Sequence, residues 1–374
     1  MSEAPLIVLA SGGTGGHVFP AEALAGALGR RGARLALVTD RRAGAYGGAL
    51  ATVETHCLSV SPLSGGIARR LTGVVNLGRS LFEARALLAR LGPRAVIGFG
   101  GYPSLPTVLA AVRAGIATAI HEQNAVLGRA NRWLAGRVDA IALSFREVAF
   151  LDPRLARRAR LTGNPVRASV IALRTIPYAP PGPAEPLRLL VTGGSQGTTH
   201  FSKVVPAALA ALAPATRQRM AVTQQCRPED IEAVRAAYRA IGVEAELATF
   251  FSDLPARLAR AHLLVARAGA SSVAEILVAG RPAILVPYPS ATDDHQSANA
   301  RAVAQAGAGW VVPQPEFSGP CLAERLASLI ADPASLARMA AAAHALGRPD
   351  AAERLADLAM ELAAPNGARR EEAA

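Results

Sequence analysis

One local plan is written twice in this chain: a short apolar run, a glycine-rich turn, then a helical pattern. Leu9-Ala10-Ser11-Gly12-Gly13-Thr14-Gly15-Gly16-His17 carries the first copy, and Val191-Thr192-Gly193-Gly194-Ser195-Gln196-Gly197 the second. Each heads a series in which apolar runs alternate with helical periodicity. Strands are expected at 6–10, 35–39, 95–98, 117–121 and 140–143, with helices at 21–31, 76–91, 105–114 and 129–135. The second series places strands at 187–192, 221–223, 245–250, 263–266 and 283–286, and helices at 203–212, 230–240, 271–279 and 297–305. Strands that are apolar throughout need cover on both faces, which is the requirement of a parallel α/β sheet. Between the series, residues 177–186 hold five prolines and read as an interdomain linker. The expected fold is therefore α/β, two Rossmann-like domains facing across a cleft. Ligands of such sheets bind outside the C-terminal ends of the strands.

Composition narrows the class. With 51% hydrophobic and 18% charged residues, the chain is long enough, at 374 residues, for two cores and too apolar for disorder. No run reaches about 18 consecutive apolar residues, so no membrane span is expected. The N-terminus lacks a basic segment before its first strand, which reads as cytoplasmic. Cys57, Cys226 and Cys321 lie far apart and read as reduced thiols. A net charge of +12 raises nucleic acid or an anionic membrane as partner. That charge is uneven: residues 1–166 carry +11 and residues 167–374 carry +1. Lys203 is the only lysine, and no tight basic run interleaved with aromatics is present, so nucleic acid is not expected.

Several segments bear chemistry. Glycine at a strand-to-helix turn lets backbone N–H groups approach an anion at the helix N-terminus. The first turn, with Asp40 ending the next strand, suggests a dinucleotide site, but the third glycine of that template falls on Val18. Gly98-Phe99-Gly100-Gly101-Tyr102-Pro103-Ser104 is a second glycine-rich turn after a strand, and His121-Glu122-Gln123-Asn124 puts four polar side chains at a strand end. Gly163-Asn164-Pro165-Val166-Arg167 brings an arginine to the end of the first series. Ala270, Ser271 and Ser272 open a helix start, and Glu275 one turn on either closes a capping box with a serine or meets ribose hydroxyls. Asp293 and Asp294 either cap the next helix or suggest a metal, and no third carboxylate is near them in sequence.

Taken in order, 11–17, 98–104, 121–124, 163–167, 193–197, 267–275 and 294–296 resemble the MurG family of N-acetylglucosaminyltransferases, from residue 6 to about 310. The resemblance implies a glycosyltransferase fold of the B type. It implies an acceptor domain, 1–166, completed by a C-terminal helix at 348–374, and a UDP-GlcNAc donor domain, 167–347. The acceptor implied is lipid I (undecaprenyl-pyrophosphoryl-MurNAc-pentapeptide), met at the cytoplasmic face of the bacterial inner membrane. Transfer with inversion to the MurNAc 4-hydroxyl then gives lipid II for peptidoglycan. By the same resemblance, Thr14, Gly15 and Gly16 face donor diphosphate and acceptor, and Asn124 reaches the donor sugar. Arg167 and Ser195 serve the donor; Ala270, Ser271, Ser272, Val273, Ala274 and Glu275 carry ribose and phosphate contacts. His295 and Gln296 lie at the sugar hydroxyls, and Phe251 offers a backbone group to uracil where the family often has isoleucine. Leu105 replaces a glycine common in the family's acceptor loop. No metal and no cofactor is expected.

A single displacement needs a base at the acceptor hydroxyl and stabilised charge at the leaving UDP. His17 is the candidate base, with Glu122 the other; His17 also fits as a helix-start residue bonding the loop. Residues 67–91 place Arg69, Arg70, Arg79, Arg85 and Arg90 beside an apolar face that includes Leu81, Phe82 and Leu88. Such a helix either docks on anionic lipid or packs on the sheet. Other readings are a UDP-GlcNAc 2-epimerase-like enzyme on the same fold and a dinucleotide-dependent oxidoreductase.

Overall fold

The computed structural model describes residues 4–12, 15–40, 48–59, 67–194 and 197–364, with side chains from residue 76 onward in the helix that begins at 67. The chain divides into two compact units, Met1–Arg167 with Pro349–Ala374, and Ala168–Arg348. The proline-rich stretch expected as the linker instead lies within the second unit, where Tyr178 packs against the core and donates its hydroxyl to His262 O at 2.8 Å. Prolines exclude helix, but a proline-rich segment still docks if an aromatic ring anchors it.

The first unit runs β1 (Leu6–Ala10), α1 (Gly15–Arg30), β2 (Arg34–Asp40), β3 (Glu54–Leu58), α2 (Ile67–Leu91) and β4 (Ala95–Gly98). It continues with α3 (Ser104–Arg113), β5 (Ala117–Glu122), α4 (Arg129–Ala135), β6 (Ala140–Leu143) and β7 (Ala159–Leu161). Its sheet is parallel, in the order β3-β2-β1-β4-β5-β6-β7. Val8, Val96, Ile120 and Ile141 face one way, toward Leu88 of α2, Val108 of α3 and Leu134 of α4. Ile7, Leu9 and Ile97 face the other, toward Leu24 and Leu28 of α1.

The second unit holds α5 (Ala168–Ile171), β8 (Leu187–Thr192), α6 (Thr199–Ala211), α7 (Pro214–Arg217), β9 (Met220–Gln225), α8 (Ile231–Ala240) and β10 (Ala245–Ala248). There follow α9 (Leu254–Arg260), β11 (Leu263–Ala266), α10 (Ala270–Ala279), β12 (Ala283–Leu285), α11 (His295–Gln305) and β13 (Gly309–Val311). Helices α12 (Gly319–Ala331) and α13 (Pro333–Leu346) complete it. This sheet is also parallel, in the order β10-β9-β8-β11-β12-β13. The last helix, α14 (Ala351–Ala363), returns to the first unit. There Leu355 and Leu362 join the core beside α1, and Arg31 pairs with Glu353 at 2.8 Å and Asp357 at 2.6 Å.

Strand order reverses between β1 and β4 in the first sheet, and between β8 and β11 in the second. The glycine turns expected to bind ligand follow β1 and β8 at these two points, outside the carboxyl ends of the strands, where open α/β sheets bind ligands. Helix α1 begins at Gly15, ahead of the expected 21, and carries Pro20 in its interior. Helix α2 likewise begins ahead of its expected start at 76.

Candidate active site

In the first unit the site is built on backbone that only glycine permits. Gly12 N donates to Gly100 O at 3.1 Å, joining the turns that follow β1 and β4. Gly100 and Gly101 have φ of 85° and 79°, and a Cβ on Gly101 would stand 2.7 Å from Gly12 Cα. The His17 ring, in the first turn of α1, rests on this junction. A Cβ on Gly100 would lie 3.2 Å from its Cε1, and one on Gly12 would lie 3.4 Å from its Cδ2. His17 Nδ1 is buried with no hydrogen-bond partner. Burial pushes the His17 pKa below its ordinary value, against the charge of Glu122 and the nearby Gln123 side chain and Phe99 backbone.

Behind His17 lies a buried polar chain. His121 Nε2 faces Gly163 O at 3.0 Å and so carries the proton, while its Nδ1 accepts from Gln123 Nε2 at 3.1 Å. Gln123 Nε2 also donates to Phe99 O at 3.0 Å, tying β5 to the glycine turn after β4. Burial lowers His121 to about 4, the neighbouring His17 adding to the shift. Glu122 is buried and fully engaged. Its Oε1 accepts from Asn124 N at 2.9 Å and Asn124 Nδ2 at 3.2 Å; its Oε2 accepts from Gly128 N and Asn131 Nδ2, each at 2.8 Å. Asn124 is thereby fixed at the end of β5. Gly15 and Gly16 start α1, with open space where a Gly16 Cβ would go. Arg167, the last residue of this unit, sets its guanidinium over the Phe19 ring of α1 at 5.0 Å. Thr14 lies outside the described residues.

In the second unit, Ala270 to Glu275 lie at the start of α10, and His295 and Gln296 at the start of α11. Helix α10 takes Gly269 as N-cap with no side-chain cap bond. The capping box expected from Ser271 or Ser272 with Glu275 is thus absent: both serines lie inside the first turn, one residue or more past the cap. Ser271 Oγ is buried without a partner, Gly269 has open space at its Cβ position, and Glu275 is buried one turn further on. Ala270, Val273 and Ala274 belong to the same helix. Gln296 Oε1 accepts from Ala268 N at 3.2 Å and Tyr288 N at 2.9 Å, and Asn299 Nδ2 donates to Ala268 O at 3.0 Å. Helix α11 therefore grips both backbone groups of the residue before the α10 N-cap. His295 turns its Nδ1 to Thr292 O at 2.8 Å. Asp294, expected as a capping residue, stands at the α11 N-cap with φ of 52° and no side-chain cap bond. Phe251 follows β10, its ring buried under the Arg257 guanidinium at 4.1 Å. Ser195 lies outside the described residues, and Gly193 beside it packs so closely that a Cβ would meet Gly197 C at 2.6 Å.

Sequence reasoning gave no role to Gln123, Asn131, Arg267 or Asn299. Gln123 and Arg267 stand within the 121–124 and 267–275 segments, while Asn131 and Asn299 stand in no motif.

Two parallel α/β units, each with a helix start at its switch point, have the two-domain fold of the B-type glycosyltransferases. Residues 7–143 match the glycosyltransferase family 28 N-terminal domain and residues 188–355 the family 28 C-terminal domain. A relative from Paramagnetospirillum magneticum, a UDP-N-acetylglucosamine–N-acetylmuramyl-(pentapeptide) pyrophosphoryl-undecaprenol N-acetylglucosamine transferase, is 56% identical over 96% of this chain and 98% of its own length. The chain belongs to family 28, among these N-acetylglucosamine transferases. The crystal structure of Acinetobacter baumannii MurG superposes with a TM-score of 0.76 at 27% identity, covering 96% of this chain and all of that one. A UDP-N-acetylglucosamine 2-epimerase reaches 0.63 at 14% identity over 94% of this chain and 95% of its own, a likeness of fold alone.

His121, neutral when folded, binds its proton only near pH 4 against an ordinary value of 6.5. The unfolded chain binds more protons in that window, so the stability of the first unit falls as pH drops from 6.5 toward 4. Thermal melts across this range should show that slope, and His121→Gln, which has no titrating ring, should flatten it; an unchanged slope contradicts the assignment.

Proposed function

We propose that this chain transfers N-acetylglucosamine from UDP-N-acetylglucosamine to the 4-hydroxyl of the MurNAc sugar of lipid I, with inversion, giving lipid II. The enzyme is a hexosyltransferase by family. The seat of His17 carries the mechanistic reading. An imidazole held on three glycines, its pKa lowered by burial from its ordinary value, is neutral at pH 7 and able to take the acceptor hydroxyl proton as the glycosidic bond forms. Glu122 is poorly suited to that step, since four N–H bonds already occupy its oxygens. It acts instead by holding Asn124. On the donor side the starts of α6 and α10 offer backbone N–H groups to the leaving diphosphate, and Ser271 Oγ adds a hydroxyl. Glu275, buried one turn into α10, is the candidate partner of the ribose hydroxyls.

Docking on the anionic cytoplasmic face of the inner membrane belongs to the same reading. No helix among the described residues is long and apolar enough to cross a membrane. Leu88 of α2 is buried against the sheet and Leu81 packs beside it, so most of the described apolar face is core, but Phe82 remains 74% exposed. Trp133 and Phe150 are exposed too, each with an arginine stacked on its ring, Arg137 at 4.2 Å and Arg132 at 4.3 Å. Aromatic rings with arginines beside them suit an anionic interface.

The His17→Ala variant should lose about 10²–10⁴-fold in kcat while UDP-GlcNAc affinity, read by calorimetry, holds. In the wild type, kcat/KM should fall as pH drops through the lowered His17 pKa, because protonation removes the base; turnover retained in the variant would shift the role to Glu122. The protein should sediment with anionic vesicles at low salt and leave them as salt rises, Phe82→Ser weakening the association; equal sedimentation with neutral vesicles contradicts the charge argument.

A further inference from the structure

Arg267 follows β11 and is 7% exposed. Its Nη1 donates to the carbonyl oxygens of Val286 at 3.1 Å and Pro287 at 3.2 Å, just after β12. Its Nη2 donates to Thr198 Oγ1 at 3.0 Å and Gln314 Oε1 at 2.6 Å. The guanidinium also lies 4.9 Å from the Phe201 ring and 5.5 Å from that of Tyr288. One side chain thus fastens the start of α6 and the segments after β12 and β13 to the strand beside β8. All four acceptors are neutral: two carbonyls, a hydroxyl and an amide.

Thr198 supplies the second observation. It is the N-cap residue of α6, with extended φ and ψ of −154° and 122°. A threonine in that position ordinarily turns its hydroxyl onto the N–H of the second or third helical residue. Here it makes no cap bond, and the oxygen is engaged by Arg267. The first-turn N–H groups of α6 are left without that side-chain acceptor. These groups follow the Gly193–Gly197 turn, where Gly194 and Gly197 have φ of 82° and 66°.

We propose that Arg267 is a positioning residue of the donor site: it holds the Thr198 hydroxyl off the helix and so keeps the α6 N-terminus open to a nucleoside diphosphate. This rests on the reading that the second unit binds the UDP donor. Without Arg267 the hydroxyl returns to the cap and competes with phosphate for the same N–H groups, while the segments holding Tyr288 and Gln314 lose their common anchor.

UDP binding by calorimetry, with donor and acceptor kinetics, separates the possibilities in the full-length wild type, Arg267→Met, and Arg267→Met with Thr198→Val. The single variant should raise the UDP Kd and donor KM at least about tenfold and leave the acceptor KM in place. Valine cannot cap, so the double variant should recover part of the UDP affinity, an effect that a merely structural role would not produce. Wild-type UDP affinity in the single variant, or a double variant no tighter than the single, overturns the proposal. Arg267→Lys, which keeps the charge and loses the fork, carries the same comparison should the methionine variant not fold. A wild type that binds no UDP would overturn the donor reading itself.

Discussion

The close approach of the backbone at Gly12 to that at Gly100 and Gly101 is the contact on which the chemistry of the first unit depends. Two turns from neighbouring strands touch with less than a methyl group of space between them. Two of these glycines also hold positive φ, so a side chain at either would meet both steric clash and backbone strain. The contact gives His17 a flat, rigid seat of main chain instead of a cage of side chains. Partial burial there, with Nδ1 sealed off, keeps the imidazole neutral, and the His121–Gln123 chain beneath ties the seat to β5. A fixed direction and a pKa beneath the working pH are what the proposed role of His17 as base requires.

The second unit solves a different problem on the same topology. A diphosphate is bound by N–H groups and dipoles, so helix starts must be held open and steady. That steadiness comes from side chains buried behind the site. Gln296 and Asn299 clamp Ala268 ahead of α10, while Arg267 binds the segments around α6. Neither N-cap of these two helices, Thr198 or Gly269, carries a side-chain cap bond, as the proposed diphosphate site requires.

Interior strands were legible in the sequence because burial on both faces demands unbroken apolar runs: β1, β4, β6, β8 and β11 match their expected bounds. The strands the pattern missed, β3, β7 and β13, all lie at sheet edges, where one neighbour suffices. Glu54-Thr55-His56-Cys57-Leu58 has only its last residue buried and shows no apolar run. The start of α1 was hidden because Gly15 and Gly16 are poor helix formers. At the site, motifs located His17, Glu122, Asn124 and the α10 start, but not what each does. The four bonds that occupy the Glu122 carboxylate come partly from Gly128 and Asn131, which no motif connected to it. Arg267 opens the 267–275 segment, and its partners at 198, 286, 287 and 314 converge on it only in three dimensions.

The central claim is that a neutral base and an open diphosphate site together perform one inverting displacement on a sugar nucleotide. Proton NMR of the product formed from UDP-GlcNAc and a soluble lipid I analogue tests this most directly, through the coupling at the transferred anomeric carbon. The account predicts a β-linked GlcNAc on the MurNAc 4-hydroxyl, formed only when acceptor is present. An α-linked product, or a 2-epimerised sugar released without acceptor, would contradict it.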